Sequence, residues 1–99
     1  MHAKKQFIVV AYDISNNKRR NRIAKILESK GNRVNFSVFE CMISIAELEQ
    51  LYLKISKELK ESADHVIYYK ICVNCFTKIV RQPNRNKKVE AIEMISEIF

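Results

Sequence analysis

Phe7-Ile8-Val9-Val10-Ala11-Tyr12-Asp13-Ile14-Ser15-Asn16-Asn17-Lys18-Arg19-Arg20-Asn21-Arg22 decides the fold: an unbroken apolar run ends on a carboxylate and then opens into a cluster of cations. Gln6 to Tyr12 is β-branched and aromatic without a polar break, which predicts a central strand buried on both faces. Ser15 is a good helix N-cap, with Asn16 or Asn17 as alternates, and Gly31 is a natural stop. Between them Ile23, Ile26, Leu27 and the stem of Lys30 recur at helical spacing. Lys18, Arg22 and Lys25 line another face of that helix, flanked by Arg19 and Arg20. An acid at the end of a buried strand, facing cations, suits either a metal-and-phosphate site or a structural ion pair.

Downstream, Arg33 to Met42 is a second β segment, long for one strand and interrupted by Asn35 and Ser37. A bend near Phe36-Ser37, making a hairpin of two short strands, is as good a reading as one continuous strand. Ser44-Ile45-Ala46-Glu47 is a capping box. Leu48, Leu51, Tyr52, Ile55 and Leu59 then mark the best-specified helix in the chain. His65 to Val73 reads as a strand, Thr77 to Arg81 as a short β-like piece, and Gln82 to Asn86 as a polar break. In the tail, Val89, Ile92, Ile95 and Ile98 recur every three residues and favour a helix over a strand.

This order predicts an α+β, ferredoxin-like βαββαβ sandwich over residues 1–82, with both helices on one face of an antiparallel sheet. Residues 83–99 form a C-terminal extension for dimer or partner contacts. The uncovered sheet face is apolar as well, which predicts a homodimer through the sheets.

Composition narrows the class of partner. A 99-residue chain has room for one domain, and its 47% apolar content is too high for disorder. Its 18 Lys and Arg against 11 Asp and Glu leave a net charge of +7, a field that attracts polyanions. No segment is long and apolar enough for a membrane span, and nothing reads as a signal peptide. With an odd three cysteines, Cys41, Cys72 and Cys75, a reducing cytoplasm fits best.

Asp13 is a hard oxygen donor suited to Mg²⁺ or Mn²⁺, but one carboxylate holds such an ion poorly. Glu40 is the only other acid near a strand, although a symmetric dimer could bring two copies of Asp13 together. The competing reading is an Asp that caps a turn or pairs with an arginine. Lys18, Arg19, Arg20 and Arg22 oppose the helix dipole at its N-terminus, a cost that a bound anion would relieve. Cys72-x-x-Cys75 is half of a zinc site at most, and a redox pair of this kind usually starts a helix, whereas this one is read as ending a strand. His2 and His65 look unspecialised, and a single glycine excludes a phosphate-cradling P-loop.

Tyr12-Asp13-Ile14-Ser15 followed by Lys18-Arg19-Arg20-Asn21-Arg22 resembles the small CRISPR-associated endonucleases, the smaller of the two core proteins of spacer acquisition. Gly31, the run Arg33-Val34-Asn35-Phe36-Ser37-Val38-Phe39-Glu40 and the late Cys72-x-x-Cys75 extend the match over residues 7 to about 80. The resemblance implies a ferredoxin-like homodimer with a divalent-metal site between facing strand-end aspartates. It implies metal-dependent cleavage of RNA or DNA, and a bridge between dimers of a larger integrase with duplex DNA on the basic surface. By matching position, Tyr12 and Asp13 become the catalytic pair, with Asp13 as the metal ligand. Arg20, Arg22, Arg33, Ser37 and Phe39 surround or support that site, and Lys18, Arg19, Arg20, Arg22 and Arg33 bind nucleic acid. A stand-alone endoribonuclease toxin of related fold, acting on single-stranded RNA, is the alternative. Two departures stand out: Asn35 replaces the family's usual Gln, and the tail reads as helical where the family commonly ends in a strand.

Overall fold

The computed structural model describes residues 4–83. The helical tail expected over Val89 to Ile98 lies outside them, as does nearly all of the extension over residues 83–99. Strand β1 (Lys5–Asp13) lies between β3 (Val38–Ser44) and β4 (His65–Ile71), with β2 (Gly31–Asn35) beyond β3, giving the order β2-β3-β1-β4. Every pairing is antiparallel. Helices α1 (Asn17–Glu28) and α2 (Ile45–Glu58) cover one face, which completes the ferredoxin-like α+β fold.

Period-two alternation on β1 sends Ile8, Val10 and Tyr12 toward the helices. There they meet Phe39, Cys41 and Ile43 of β3, Ile23 and Leu27 of α1, and Leu51 and Ile55 of α2 in one continuous core. Phe7, Val9 and Ala11 take the opposite, open face. That face is only partly covered. Phe7 packs under the Phe76 ring with centroids 4.9 Å apart, while Met42, Ile67 and Tyr69 are each about half exposed.

Local signals placed the helices well. Asn16 rather than Ser15 caps α1, its side chain accepting from the Arg19 amide at 2.9 Å. Ser44 and Glu47 form the expected capping box at α2. Arg33 to Met42 is the hairpin and not a single strand, because the chain turns at Phe36-Ser37 between β2 and β3. Gly31 is not a helix stop: α1 ends at the Ser29 cap and no glycine has positive φ. It opens β2 where a Cβ would collide with the Glu40 carbonyl oxygen and Cys41 Sγ, so close strand packing is what requires it.

The expected strand His65 to Val73 stops at Ile71, and Thr77 to Arg81 is not β structure. Instead Cys72 caps a single helical turn, α3 (Val73–Phe76). Docking of Phe76 on Phe7 supplies a hydrophobic reason for the turn that β-propensity at Val73 does not anticipate.

Candidate nucleic-acid and metal site

The carboxylate of Asp13 is exposed at the last position of β1. Tyr12, its neighbour, points the other way. The Tyr12 ring is 5% exposed in the core, and its hydroxyl donates to the Phe36 carbonyl at 3.0 Å. Its backbone amide donates to the Ser37 carbonyl, also at 3.0 Å. Tyr12 and Ser37 therefore splice the β2–β3 turn to the end of β1. Successive strand residues project to opposite faces, so the sheet separates Tyr12 from the side chain of Asp13.

Register identifies what does share a face with Asp13. His65 sits directly across in β4, and antiparallel partners have Cβ atoms about 4.5–5.5 Å apart. Sequence reading passed over His65 because nothing local marks a cross-strand partner 52 positions away (65 minus 13). Glu40, the other acid considered, lies opposite Val9 on the same face, four residues from Asp13 along β1, and its carboxylate binds Arg81 at 2.6 Å. At about 3.4 Å per residue, that offset is roughly 14 Å, too far to share an ion. Among the described residues no group of three or more His, Cys, Asp and Glu side chains could hold a metal. The described residues of one chain thus offer a single hard oxygen ligand at the end of the open face.

The cations divide by what they touch. Arg19 forks onto Asp64, with Nε to Oδ2 at 2.7 Å and Nη2 to Oδ1 at 3.2 Å. The Asp64 side chain is fully buried and also accepts from the Lys60 amide at 2.9 Å. These bonds, led by the Arg19 fork, hold the Asp64 carboxyl below its usual range and raise the Arg19 guanidinium further. Arg19 is therefore a clamp between α1 and the segment before β4, the structural ion pair weighed against a phosphate site, made with Asp64 and not Asp13. The acid was hidden in sequence because it stands 45 residues away in a loop.

Arg20 donates to the Ile14 carbonyl at 3.1 Å and to the Asn17 side chain, which holds its guanidinium at the exit of β1. Arg22 lies on the exposed surface 3.5 Å from Glu58. Arg33 rides over the Phe39 ring at 5.2 Å from its centroid and reaches Glu28 at 3.8 Å. Phe39 itself is fully buried, so it supports Arg33 from inside the core. Lys18 and Lys25 are exposed on α1, and no acid stands in that helix's first turn. Weak partners at 3.5–3.8 Å on exposed side chains are readily exchanged for phosphate oxygens. The bidentate Arg19 pair is not.

Comparison with known proteins agrees with this architecture. Residues 6–79 match the family model described as CRISPR associated protein Cas2. The chain is 40% identical over 74 residues to a CRISPR-associated endoribonuclease Cas2 of Chloroflexus aurantiacus, covering 74% of this chain and 80% of that protein. Streptococcus pyogenes Cas2 superposes with a TM-score of 0.69 at 26% identity, covering 76% of this chain and 96% of the other. A chain of a partial Cas6-RT-Cas1–Cas2 complex superposes with a TM-score of 0.67 at 26% identity, covering 82% and 88%. Strand order, the strand-end aspartate, the basic first turn of α1 and these matches have one reading: the chain belongs to the CRISPR-associated protein Cas2 family.

Proposed function

We propose that two copies of this chain pair through the open faces of their sheets and act in CRISPR spacer acquisition, as a nucleic-acid-binding scaffold that bridges dimers of the larger integrase. The open face itself carries the proposal. Met42, Ile67 and Tyr69 stand half exposed around Val9 and Ala11, an apolar surface that a second sheet would bury. The likeness to a Cas1–Cas2 assembly supports the integrase as partner.

Duplex DNA lies on the cations at the surface, Lys18, Arg22 and Arg33, with Arg20 held beside them at the exit of β1 by the Ile14 carbonyl and Asn17. Arg19 contributes through Asp64, by fixing the start of α1. Pairing also brings Asp13 of each copy to a common divalent site for Mg²⁺ or Mn²⁺, which the described residues of one chain do not complete. When bound, such an ion supplies Lewis-acid stabilisation of charge on a phosphodiester and a more acidic water. Arg20 then offers its guanidinium to a phosphate beside the strand end. The endoribonuclease names of the relatives favour a second reading, in which the dimer cuts single-stranded RNA on its own.

The readings separate by experiment. Lys18→Ala and Arg22→Ala should each lower the salt slope of duplex binding by about 0.9 per lost phosphate contact. Asp13→Ala should abolish Mg²⁺- or Mn²⁺-dependent cleavage of RNA or DNA while leaving that slope unchanged. Unaltered slopes in the cation variants would remove the proposed footprint. A monomeric mass by light scattering at micromolar concentration would sink both the bridge and the shared ion.

A further inference from the structure

The cysteine pair lies outside the nucleic-acid site, and its geometry differs from that of a buried structural thiol. Cys72 and Cys75 are both exposed, whereas Cys41 is 1% exposed in the core. The Cys75 amide donates to Cys72 Sγ at 3.3 Å, so the Cys72 sulfur lies against the backbone of Cys75 within a single turn. Three contacts hold that turn in place: Phe76 packs on Phe7, the Phe76 amide donates to the Cys72 carbonyl at 2.8 Å, and the Thr77 hydroxyl donates to the Asn74 carbonyl at 2.7 Å.

Cys72 also lines an open cavity of about 470 Å³ together with Lys4, Lys70, Phe7 and Met42, at the Phe7 end of the open sheet face, a size that admits a small molecule. Lys4 and Lys70 give the approach to the sulfur a positive field, whereas Lys5 is paired with Glu47 at 2.7 Å. Hydrogen bonds from the Cys75 amide and thiol hold the Cys72 thiol below its usual range, and the same contact raises that of Cys75. A more acidic, accessible sulfur beside a less acidic one is the division of labour expected of an attacking and a resolving cysteine.

We propose that Cys72 and Cys75 form a redox-active dithiol that closes to an intramolecular disulfide in exchange with low-molecular-weight, anionic disulfides such as oxidised glutathione. The Cys72 thiolate attacks one sulfur of the small disulfide, forming a mixed disulfide and expelling one thiolate. Cys75 then loses its proton to solvent and attacks Cys72 Sγ, closing the protein disulfide and releasing the second thiolate. Two electrons pass from the protein dithiol to the small disulfide. Neither Asp13 nor the basic helix takes part in the exchange. The cavity shares Phe7 and Met42 with the face proposed for pairing, but the thiol state of the peptide is read independently of chain mass and nucleic-acid binding, so the two proposals fail separately.

Trypsin isolates the pair, since Lys70 and Lys78 bracket a peptide, Ile71 to Lys78, that contains both cysteines and not Cys41. The full chain is equilibrated in buffers of reduced and oxidised glutathione, blocked with N-ethylmaleimide and digested. From oxidising buffer the expected peptide carries no maleimide, has a mass about 2 Da below that of the unalkylated dithiol, and reverts on reduction. Cys41 stays reduced throughout and serves as the internal control. Cys75→Ser should trap a stable glutathione adduct on Cys72, and Cys72→Ser should slow the reaction at Cys75. A wild-type chain that accumulates the glutathione adduct without closing the ring would overturn the proposal. So would retention of stoichiometric zinc that shields both thiols from alkylation, since that would assign the pair to a metal.

Discussion

Replacing Tyr12 by Phe tests what the residue beside the strand-end acid contributes. The substitution keeps the ring, which is 5% exposed and stacks near Phe39 at 6.2 Å between centroids, so no cavity opens. It removes one hydrogen bond, the 3.0 Å donation from the hydroxyl to the Phe36 carbonyl. A neutral bond of this kind contributes about 0.5–1.5 kcal/mol net. The abandoned carbonyl belongs to a turn whose Phe36 is 88% exposed, so water can replace the lost donor and the loss stays near 1 kcal/mol. For a domain of this size that lowers the melting temperature by about 4–8 °C. Wild type and variant are compared by calorimetry at equal chain concentration, because pairing of chains would itself shift the midpoint. In parallel, metal-dependent cleavage by the variant should stay within about twofold of wild type, a barrier change of under about 0.5 kcal/mol. Unchanged stability with a hundredfold loss of cleavage would refute the reasoning, since it would place the hydroxyl in the chemistry and not in the splice between β1 and the β2–β3 turn.

Further outcomes follow from the core and the ion pairs. Leu51→Ala, at a residue 1% exposed, should cost about 2–5 kcal/mol by chemical denaturation, whereas Leu53→Ala, 59% exposed on the same helix, should stay within about 0.5 kcal/mol. Gly31→Ala forces a methyl against the Glu40 carbonyl and Cys41 Sγ and should cost about 1–3 kcal/mol, with the loss read from urea midpoints. Acid should destabilise the fold in a defined window. Lys5, the Ser44 amide and Lys30 hold the Glu47 carboxyl down at about 2, against an ordinary 4.5, and Asp64 is depressed in the same direction by Arg19. Stability from a depressed carboxylate is complete above its unfolded value and is lost as pH falls toward the folded one. The thermal midpoint should therefore drop between about pH 4.5 and about pH 2, and Glu47→Gln should flatten that part of the profile. A wild-type midpoint that stays level across this range would contradict the assignment.

What could be read from residues alone was whatever obeys a local rule. The stripe containing Leu51 and Ile55, the box between Ser44 and Glu47, and the unbroken run on β1 each depend on neighbours within a few positions. Helical period, capping and the strand itself follow from those neighbours, and with them came the ferredoxin-like order of elements. The second face of β1, read as buried, is only partly covered within one chain. The alternation separating Tyr12 from Asp13 was also legible, although the family resemblance grouped the two as a pair. Contacts distant in sequence were decided only by tertiary structure. Registering β4 against β1 set His65 beside Asp13 and Glu40 far from it, and packing of α1 brought Arg19 onto Asp64. The same holds for Cys72: a β-branched Val73 argues for more strand, and only the docking of Phe76 on Phe7 winds the chain into a turn with both thiols outward. Strand register and side-chain docking are summed over the whole sheet, so no window of neighbouring residues contains them. The acid that ends β1 and the cations after it were visible from the start, but the fold alone divided those cations into a structural clamp and an exposed basic surface.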